Sequence, residues 1–301
     1  MRAITQKTFG GPDVLETADL PRPAPQPGEV LVRVAATSVN PADWKLRSGE
    51  VMRVGEPPFT LGFDVSGTVA ELGAGVTAFD LGDEVFGMLL SRSGAYAEYV
   101  ALPADSLARK PAELDHVHAA ALPVAALTGW QALAGLRAGQ RVLIHAAAGG
   151  VGHLAVQFAK ARGAYVIGTA RAANHEFLRG LGVDEPIDYT AIDFAEAVRD
   201  VDVVLDLIGG EYGSRSLRVL RPDGRYIDTQ GSDAEQDPRY VRVYVEPSGA
   251  ELHEIAGWAA RGELHVEVER VLSLADVAEA HKLSESGRVR GKIVLLPWAV
   301  D

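Results

Sequence analysis

The sequence predicts an α/β protein in which a doubly wound parallel sheet is joined to a compact partial β-barrel. Three observations carry this. A strand, a glycine turn and a helix succeed one another from Arg141 to Gly163, RVLIHAAAGGVGHLAVQFAKARG. The residues that follow alternate strand and helix, the order that builds βαβ units and a parallel sheet covered on both faces. Residues 1–120, and those after Gly262, read instead as short strands separated by Gly and Pro turns.

Taken in order, Leu20 to Gly28 (LPRPAPQPG) is a surface connection, because four prolines withhold backbone donors and set φ. Glu29 to Ala36 alternates, with Val30, Val32 and Val34 on one face and Leu31 and Arg33 on the other. Val65–Leu72, Glu84–Met88 and Ala95–Ala101 are further short strands, separated by turns at Gly73-Ala-Gly75 and Gly82-Asp83. From His116 to Leu136 the pattern becomes helical and alanine-rich. Strands then follow at Arg141–His145, Tyr165–Thr169, Pro186–Tyr189, Val201–Asp206 and Arg225–Thr229, with an edge strand at Tyr240–Val245. Gly209-Gly210, Pro222-Asp223-Gly224 and Pro247-Ser248-Gly249 mark loops between them. Ser273 to Asp276 reads as a capping box opening a helix to Leu283, and Lys292 to Leu296 as a buried strand.

Composition narrows the function. The chain has 301 residues, 47% hydrophobic and 23% charged, enough for two modest domains and ordinary for a globular protein. With 29 basic and 41 acidic residues the formal charge is −12, which argues against general binding to nucleic acid or membrane surfaces. An anionic ligand must therefore be held by local dipoles and a few placed cations. The absence of cysteine removes disulfides, thiolate zinc sites and cysteine nucleophiles together. No leader-like start and no membrane-length apolar run are present, and the expectation is a soluble, cytoplasmic protein.

The loop Ala146-Ala-Ala-Gly149-Gly150-Val151-Gly152 has the chemistry of an anion site. The first N–H groups of the following helix lack intrahelical partners and carry partial positive charge, and glycine lets a pyrophosphate approach the backbone. It is not a literal GxGxxG, since Ala147 occupies the first position, and close packing alone would also select small residues here. The second strand and its polar turn favour a dinucleotide. Arg171 lies nineteen positions after Gly152, and no acid stands between Gly168 and His175. A cofactor 2′-phosphate would be attracted to this arginine, which predicts NADPH; a solvated surface arginine is the alternative. The eight histidines, at 116, 118, 145, 153, 175, 253, 265 and 281, show no metal-ligand spacing, and His116 and His118 read as helix-start residues.

Several blocks resemble one family. VLIHAAAGGVGHLAVQFAK, NPADWKLRSG (40–49), LGFDVSGTVAELGAGV (61–76), GDEVFGM (82–88), GAYAEYV (94–100), ALPVAALTGWQAL (121–133) and GRVRGKIVL (287–295) are similar to the medium-chain dehydrogenase/reductase superfamily. They match its zinc-free quinone oxidoreductase (zeta-crystallin-like) branch, and the Asn-Pro-x-Asp-Trp-Lys form resembles the enone reductases. The resemblance implies a GroES-like partial β-barrel from both chain ends, 1–121 and 268–301. It also implies a Rossmann NADPH-binding domain, 122–267, with a cleft between the two. The implied activity is NADPH-dependent hydride transfer to a quinone or to the C=C bond of an α,β-unsaturated carbonyl, by a homodimer. An enoyl-thioester reductase of polyketide-type synthesis stays open as an alternative, as does a low-turnover NADPH-binding protein with a sensing, crystallin-like or RNA-binding role.

The same resemblance suggests the site. Asn40 and Lys45 would act on the substrate, and Trp44 and Phe63 would line it. Thr128, Ala148, Gly149, Gly150, Val151, Gly152, Thr169, Arg171, Arg290 and Lys292 would bind the cofactor. Zinc-dependent relatives carry Gly-His-Glu where this chain has Gly62-Phe63-Asp64, so no catalytic metal is expected.

Overall fold

The structure, a computed structural model, describes residues 1–51 and 54–298. The last three residues of the C-terminal segment assigned above to the barrel, 299–301, lie outside the described residues. Two compact units are present: Met1–Leu127 with Pro247–Asp301, and Thr128–Glu246.

The first unit begins with β1 (Arg2–Gln6), β2 (Glu16–Asp19), β3 (Glu29–Val39), β4 (Phe59–Thr60), β5 (Asp64–Leu72), β6 (Glu84–Met88), β7 (Tyr99–Pro103) and β8 (Leu107–Arg109). A long run of β-branched residues makes β3 the central strand. Val30, Leu31 and Val32 are all buried, so the alternation expected there does not separate a wet face from a dry one: β5 and β7 both flank it. Asn40-Pro41 ends β3 and opens α1 (Pro41–Ser48), proline being tolerated at the first helical position. The expected strand at Ala95 starts later, at Tyr99; Ala97 makes only an isolated bridge to Ala3. Helices α2 (His116–Ala121) and α3 (Pro123–Ala132) follow.

The second unit is one parallel sheet of β9 (Arg141–Ile144), β10 (Tyr165–Ala170), β11 (Glu185–Asp188), β12 (Val201–Asp206), β13 (Leu220–Asp228) and β14 (Tyr240–Arg242). Its spatial order is β11-β10-β9-β12-β13-β14. Relative to the first of these strands that is 3-2-1-4-5-6, the doubly wound order, and the direction of winding reverses between β9 and β12. The core carries Val142, Ile144, Val166, Val203 and Leu205 from the strands, and Ala155, Val156 and Ala159 from α4 (Gly152–Ala161). Strand β13 begins earlier than expected and takes in Pro222-Asp223-Gly224, with its pairing to β12 shifting register there. β14 is the sheet edge, shorter than Tyr240–Val245.

The chain then returns to the first unit. The helix Gly249–Ala260 packs on β8 and the turn 104–106, which is why this unit resumes at Pro247 rather than at 268. Ser273 caps a 3-10 turn, Leu274–Asp276, through Ala275 N–H before the helix Val277–Glu285 begins. The strands β15 (Val268–Ser273) and β16 (Lys292–Leu296) complete a sheet in the order β15-β16-β3-β5-β6-β8. β16 runs antiparallel to β3, pairing Ile293 with Val39 and Val294 with Ser38. β3 pairs Ala36 with Ser66 of β5. These two registers bring Lys292, Asn40 and Asp64 together from three distant parts of the chain. Among the described residues, no helix is long and apolar enough to cross a membrane.

Candidate active site

The glycine loop leaves the carboxyl end of β9, at the point where the sheet's winding reverses. Ala146 adopts φ +50, which turns the chain sharply, and Ala147 N–H returns to Thr169 O at 3.0 Å. A Cβ on Gly152 would lie 2.3 Å from Ala146 O, so only glycine lets α4 start against the loop. His153 holds Gly149 O with its backbone N–H at 3.1 Å and with Nδ1 at 2.9 Å. Gly149, Gly150 and Val151 remain half-buried, while Ala148 and Gly152 are buried. What the loop offers outward is backbone at a helix N-terminus, the cradle a pyrophosphate requires. Beneath it, buried His145 spans Thr169 Oγ1 at 3.2 Å and Ser216 Oγ at 3.0 Å, and burial pushes its pKa down to about 3.

At the end of β10, exposed Arg171 donates from Nε to Tyr189 Oη at 3.1 Å. The phenol steadies a guanidinium whose other nitrogens remain available to an anion. Tyr189 was not foreseen; it stands eighteen positions further on, and only the parallel pairing of β10 with β11 brings it alongside.

In the first unit a buried polar cluster gathers on Asp64. Its Oδ2 accepts from Ser38 Oγ, from Asn40 Nδ2 at 2.7 Å and from Lys292 Nζ at 3.4 Å. Oδ1 accepts Val124 N–H at 2.7 Å, fixing the start of α3. Lys292 also donates to Asn40 Oδ1 at 2.6 Å and to Val39 O at 3.2 Å. Lys292, Asn40 and Asp64 are each at most 3% exposed. Beside them, Asp43 accepts Asn40 N–H at 2.8 Å and Gly62 N–H at 2.9 Å. Burial raises its pKa to about 7, and these two N–H groups only partly offset that. Tyr96 Oη meets His281 Nε2 at 3.2 Å; burial above all, with the negative charge of Asp43 nearby, holds its pKa well above the usual value. His281 in turn meets Arg47 Nη1 at 3.1 Å, and Arg47 pairs with Glu285.

This geometry sorts the residues singled out from the sequence. Asn40 is 3% exposed, with Nδ2 donating to Asp64 and Oδ1 accepting from Lys292, so it ties its neighbours together inside the unit. Phe63 is 4% exposed and belongs to the core cluster with Tyr96 and Leu46. Thr169 is wholly buried and supports the loop from below. Lys292 is enclosed by Asp64, Asn40 and Val39, and Arg290 is ion-paired with Glu267. Thr128 is 8% exposed on α3. Trp44 is half-buried, with Nε1 on Ser284 Oγ at 3.2 Å, and Lys45 lies next to it with Nζ 3.3 Å from Glu50.

Comparison with known proteins gives this geometry a family. Residues 26–112 match the alcohol dehydrogenase GroES-like domain, and residues 181–295 match a family described as zinc-binding dehydrogenase. The chain is 36% identical to a 2-haloacrylate reductase from Burkholderia sp, over 99% of both proteins. The chain belongs to the medium-chain dehydrogenase/reductase superfamily. Among solved structures, the quinone oxidoreductase from Coxiella burnetii superposes with a TM-score of 0.94 at 38% identity, covering 98% of this chain and 99% of that one. The Escherichia coli quinone oxidoreductase complexed with NADPH gives 0.90 at 28% identity, covering 99% and 100%. This member is an oxidoreductase of the family's NAD(P)H-dependent type.

The superfamily implies a nicotinamide dinucleotide, and the glycine cradle with its half-buried backbone fits one. It also includes zinc enzymes, and here the residues do not fit the metal. Phe63 offers no donor atom, both oxygens of Asp64 face hydrogen-bond donors, and no group of three acids or histidines among the described residues is placed to hold an ion.

The buried carboxyl of Asp43 makes a measurable prediction. A folded-state pKa raised from 3.8 to about 7 means the folded protein binds the proton more tightly than the unfolded chain. Stability from this group is therefore full below about pH 4 and falls as pH rises to about 7, by at most about 4 kcal/mol. His145 and His281, both pushed to about 3, act in the opposite sense up to pH ~6.5. The difference between wild type and Asp43→Asn in denaturant titrations isolates Asp43. Wild type should lose stability relative to the variant from pH 4 to 7; parallel curves would contradict the assignment.

Proposed function

We propose that this protein is an NADPH-dependent reductase of quinones and of the C=C bond of α,β-unsaturated carbonyls, working without a metal. The observation that carries the reading is the cradle at Gly149–Gly152 in a sheet of doubly wound order, with Arg171 and Tyr189 at the end of the next strand. The names of the similar proteins, a 2-haloacrylate reductase and quinone oxidoreductases, support the substrate class.

When bound, NADPH supplies the hydride, and the protein supplies placement and electrostatics. The N-terminus of α4 and the backbone of Gly149 to Val151 hold the pyrophosphate. Arg171, braced by Tyr189, takes the 2′-phosphate in a charge-assisted contact, while the carboxylate of nearby Asp188 is held by Thr190. Reduction of an enone at its β-carbon leaves negative charge on the carbonyl oxygen. A cation placed for that oxygen stabilises the transition state more than the ground state. Lys45 is the residue assigned to this, since α1 holds it partly exposed, its Nζ paired with the exposed Glu50, while Asn40 behind it is tied to Asp64. The α-carbon takes its proton from solvent.

Three measurements test the reading. Turnover of NADPH against quinones, enones and enoyl thioesters should favour the first two; preference for thioesters would move the protein to acyl-chain reduction. Arg171→Ala should weaken NADPH by about 1–3 kcal/mol and leave NADH unchanged, and equal affinities for both in wild type would end the 2′-phosphate assignment. Lys45→Ala should lower enone turnover by on the order of 10² with little effect on NADPH affinity, and should affect quinones less; unchanged enone turnover would remove Lys45 from the mechanism.

Assembly is part of the same proposal. The edge strand β14 leaves backbone groups unpaired on one side, and Val241 and Tyr244 are 40% and 60% exposed. Pairing of two such edges gives a homodimer, and sedimentation should report a mass twice that of the chain; a monomer at every concentration would refute it.

A further inference from the structure

The second unit carries a cavity at the amino ends of its strands, the opposite end of the sheet from the glycine loop. Its volume is about 360 Å³, within the lower range of small-ligand pockets. Gly135, Arg137 and Gln140 line it from the connection into β9, Asp202 from β12, and Arg221, Asp223 and Arg225 from β13. Three arginines and two aspartates leave an excess of positive charge in a protein whose formal charge is −12.

The arginines are not equivalent. Arg221 Nη1 is paired with Asp202 Oδ1 at 3.0 Å, and Asp202 Oδ2 also accepts Arg141 N–H at 2.8 Å. That aspartate is therefore satisfied and holds the wall. The guanidinium groups of Arg137 and Arg225 make no hydrogen bond or ion pair with any described residue. Arg225 lies over bare Gly135, with Nη1 2.8 Å from where a Cβ would stand, so any larger residue would push it away. Arg137 has its backbone N–H held by Gln140 Oε1 at 2.8 Å, which sets the turn that carries it. Two unpaired guanidiniums on separate elements suit a phosphate, which accepts several charge-assisted bonds at once. Asp223, exposed on the same rim, is an acceptor for hydroxyl groups.

We propose that this cavity binds a small phosphorylated polyol, with its phosphate on Arg137 and Arg225 and its hydroxyls on Asp223. The site is separate from the cofactor cradle at the carboxyl end of the same strands, and it does not depend on the activity proposed above.

The test uses the full-length protein saturated with NADPH, so that the cradle is already filled. Binding of ribose 5-phosphate, inorganic phosphate and ribose is measured by calorimetry on wild type, Arg225→Gln and Arg137→Gln, each checked for an unchanged thermal melt. Ribose 5-phosphate should bind in the millimolar range or tighter. Each variant should weaken it by about tenfold or more. Ribose should bind far more weakly. No binding of ribose 5-phosphate, wild-type affinity in either variant, or equal affinity for ribose would each overturn the proposal. Inorganic phosphate binding as tightly as ribose 5-phosphate would overturn the polyol assignment.

Discussion

The carboxyl group of Asp64 is the point on which the first unit turns. Four donors reach it from different elements: Ser38 at the end of β3, Asn40 before α1, Lys292 at the start of β16 and Val124 at the start of α3. Burying a carboxylate and an ammonium costs several kcal/mol each, and only dense hydrogen bonding offsets that. The cluster meets this condition. Its partners can converge only if β16 and β5 hold their registers against β3, so satisfying Asp64 also specifies how the two ends of the chain come together. Such a network is intolerant of partial removal, because a lost partner strands a buried charge. Phe63, next to Asp64, shows the division of labour: the apolar neighbour fills the core while the acid gathers the backbone and cations around it.

The second unit solves a different problem, the attraction of an anionic cofactor to a strongly acidic chain. It does so with geometry. Ala146 turns at positive φ, Gly152 allows contact between α4 and the loop, and the helix N-terminus presents its N–H groups where bulk charge would repel. A neutral imidazole, His145, joins Thr169 to Ser216 below, so the loop rests on uncharged hydrogen bonds and keeps its shape across the physiological pH range. Arg171 is the cation proposed for the far end of the cofactor, and Tyr189 limits its freedom.

Much of this was legible in the residues. Strand runs such as Val201–Asp206 and Lys292–Leu296 announce themselves by β-branched composition, and Gly163 ends the helix with the positive φ expected of it. The cradle was readable because its chemistry is local: strand, small-residue turn and helix are contiguous. The residues whose packing the sequence did not reveal share a cause. Asn40 and Lys292 look like a donor and a cation awaiting a ligand until two registers, joining positions 252 apart, place them against each other. Thr169 and Phe63 sit at the right positions in the chain but point inward, and burial is decided by neighbours that periodicity does not reveal. Asp43, Tyr96, His281 and Arg47 form one network from separate segments, and only the cluster of polar residues in otherwise apolar surroundings hints at it.

The most direct test of the account is the fate of the hydride. With NADPH deuterated at the transferred position and a simple enone as acceptor, the account requires deuterium at the β-carbon of the saturated product and a solvent proton at the α-carbon. Deuterium lost to water, carried to the α-carbon, or found on an alcohol carbon with the C=C bond intact would contradict it.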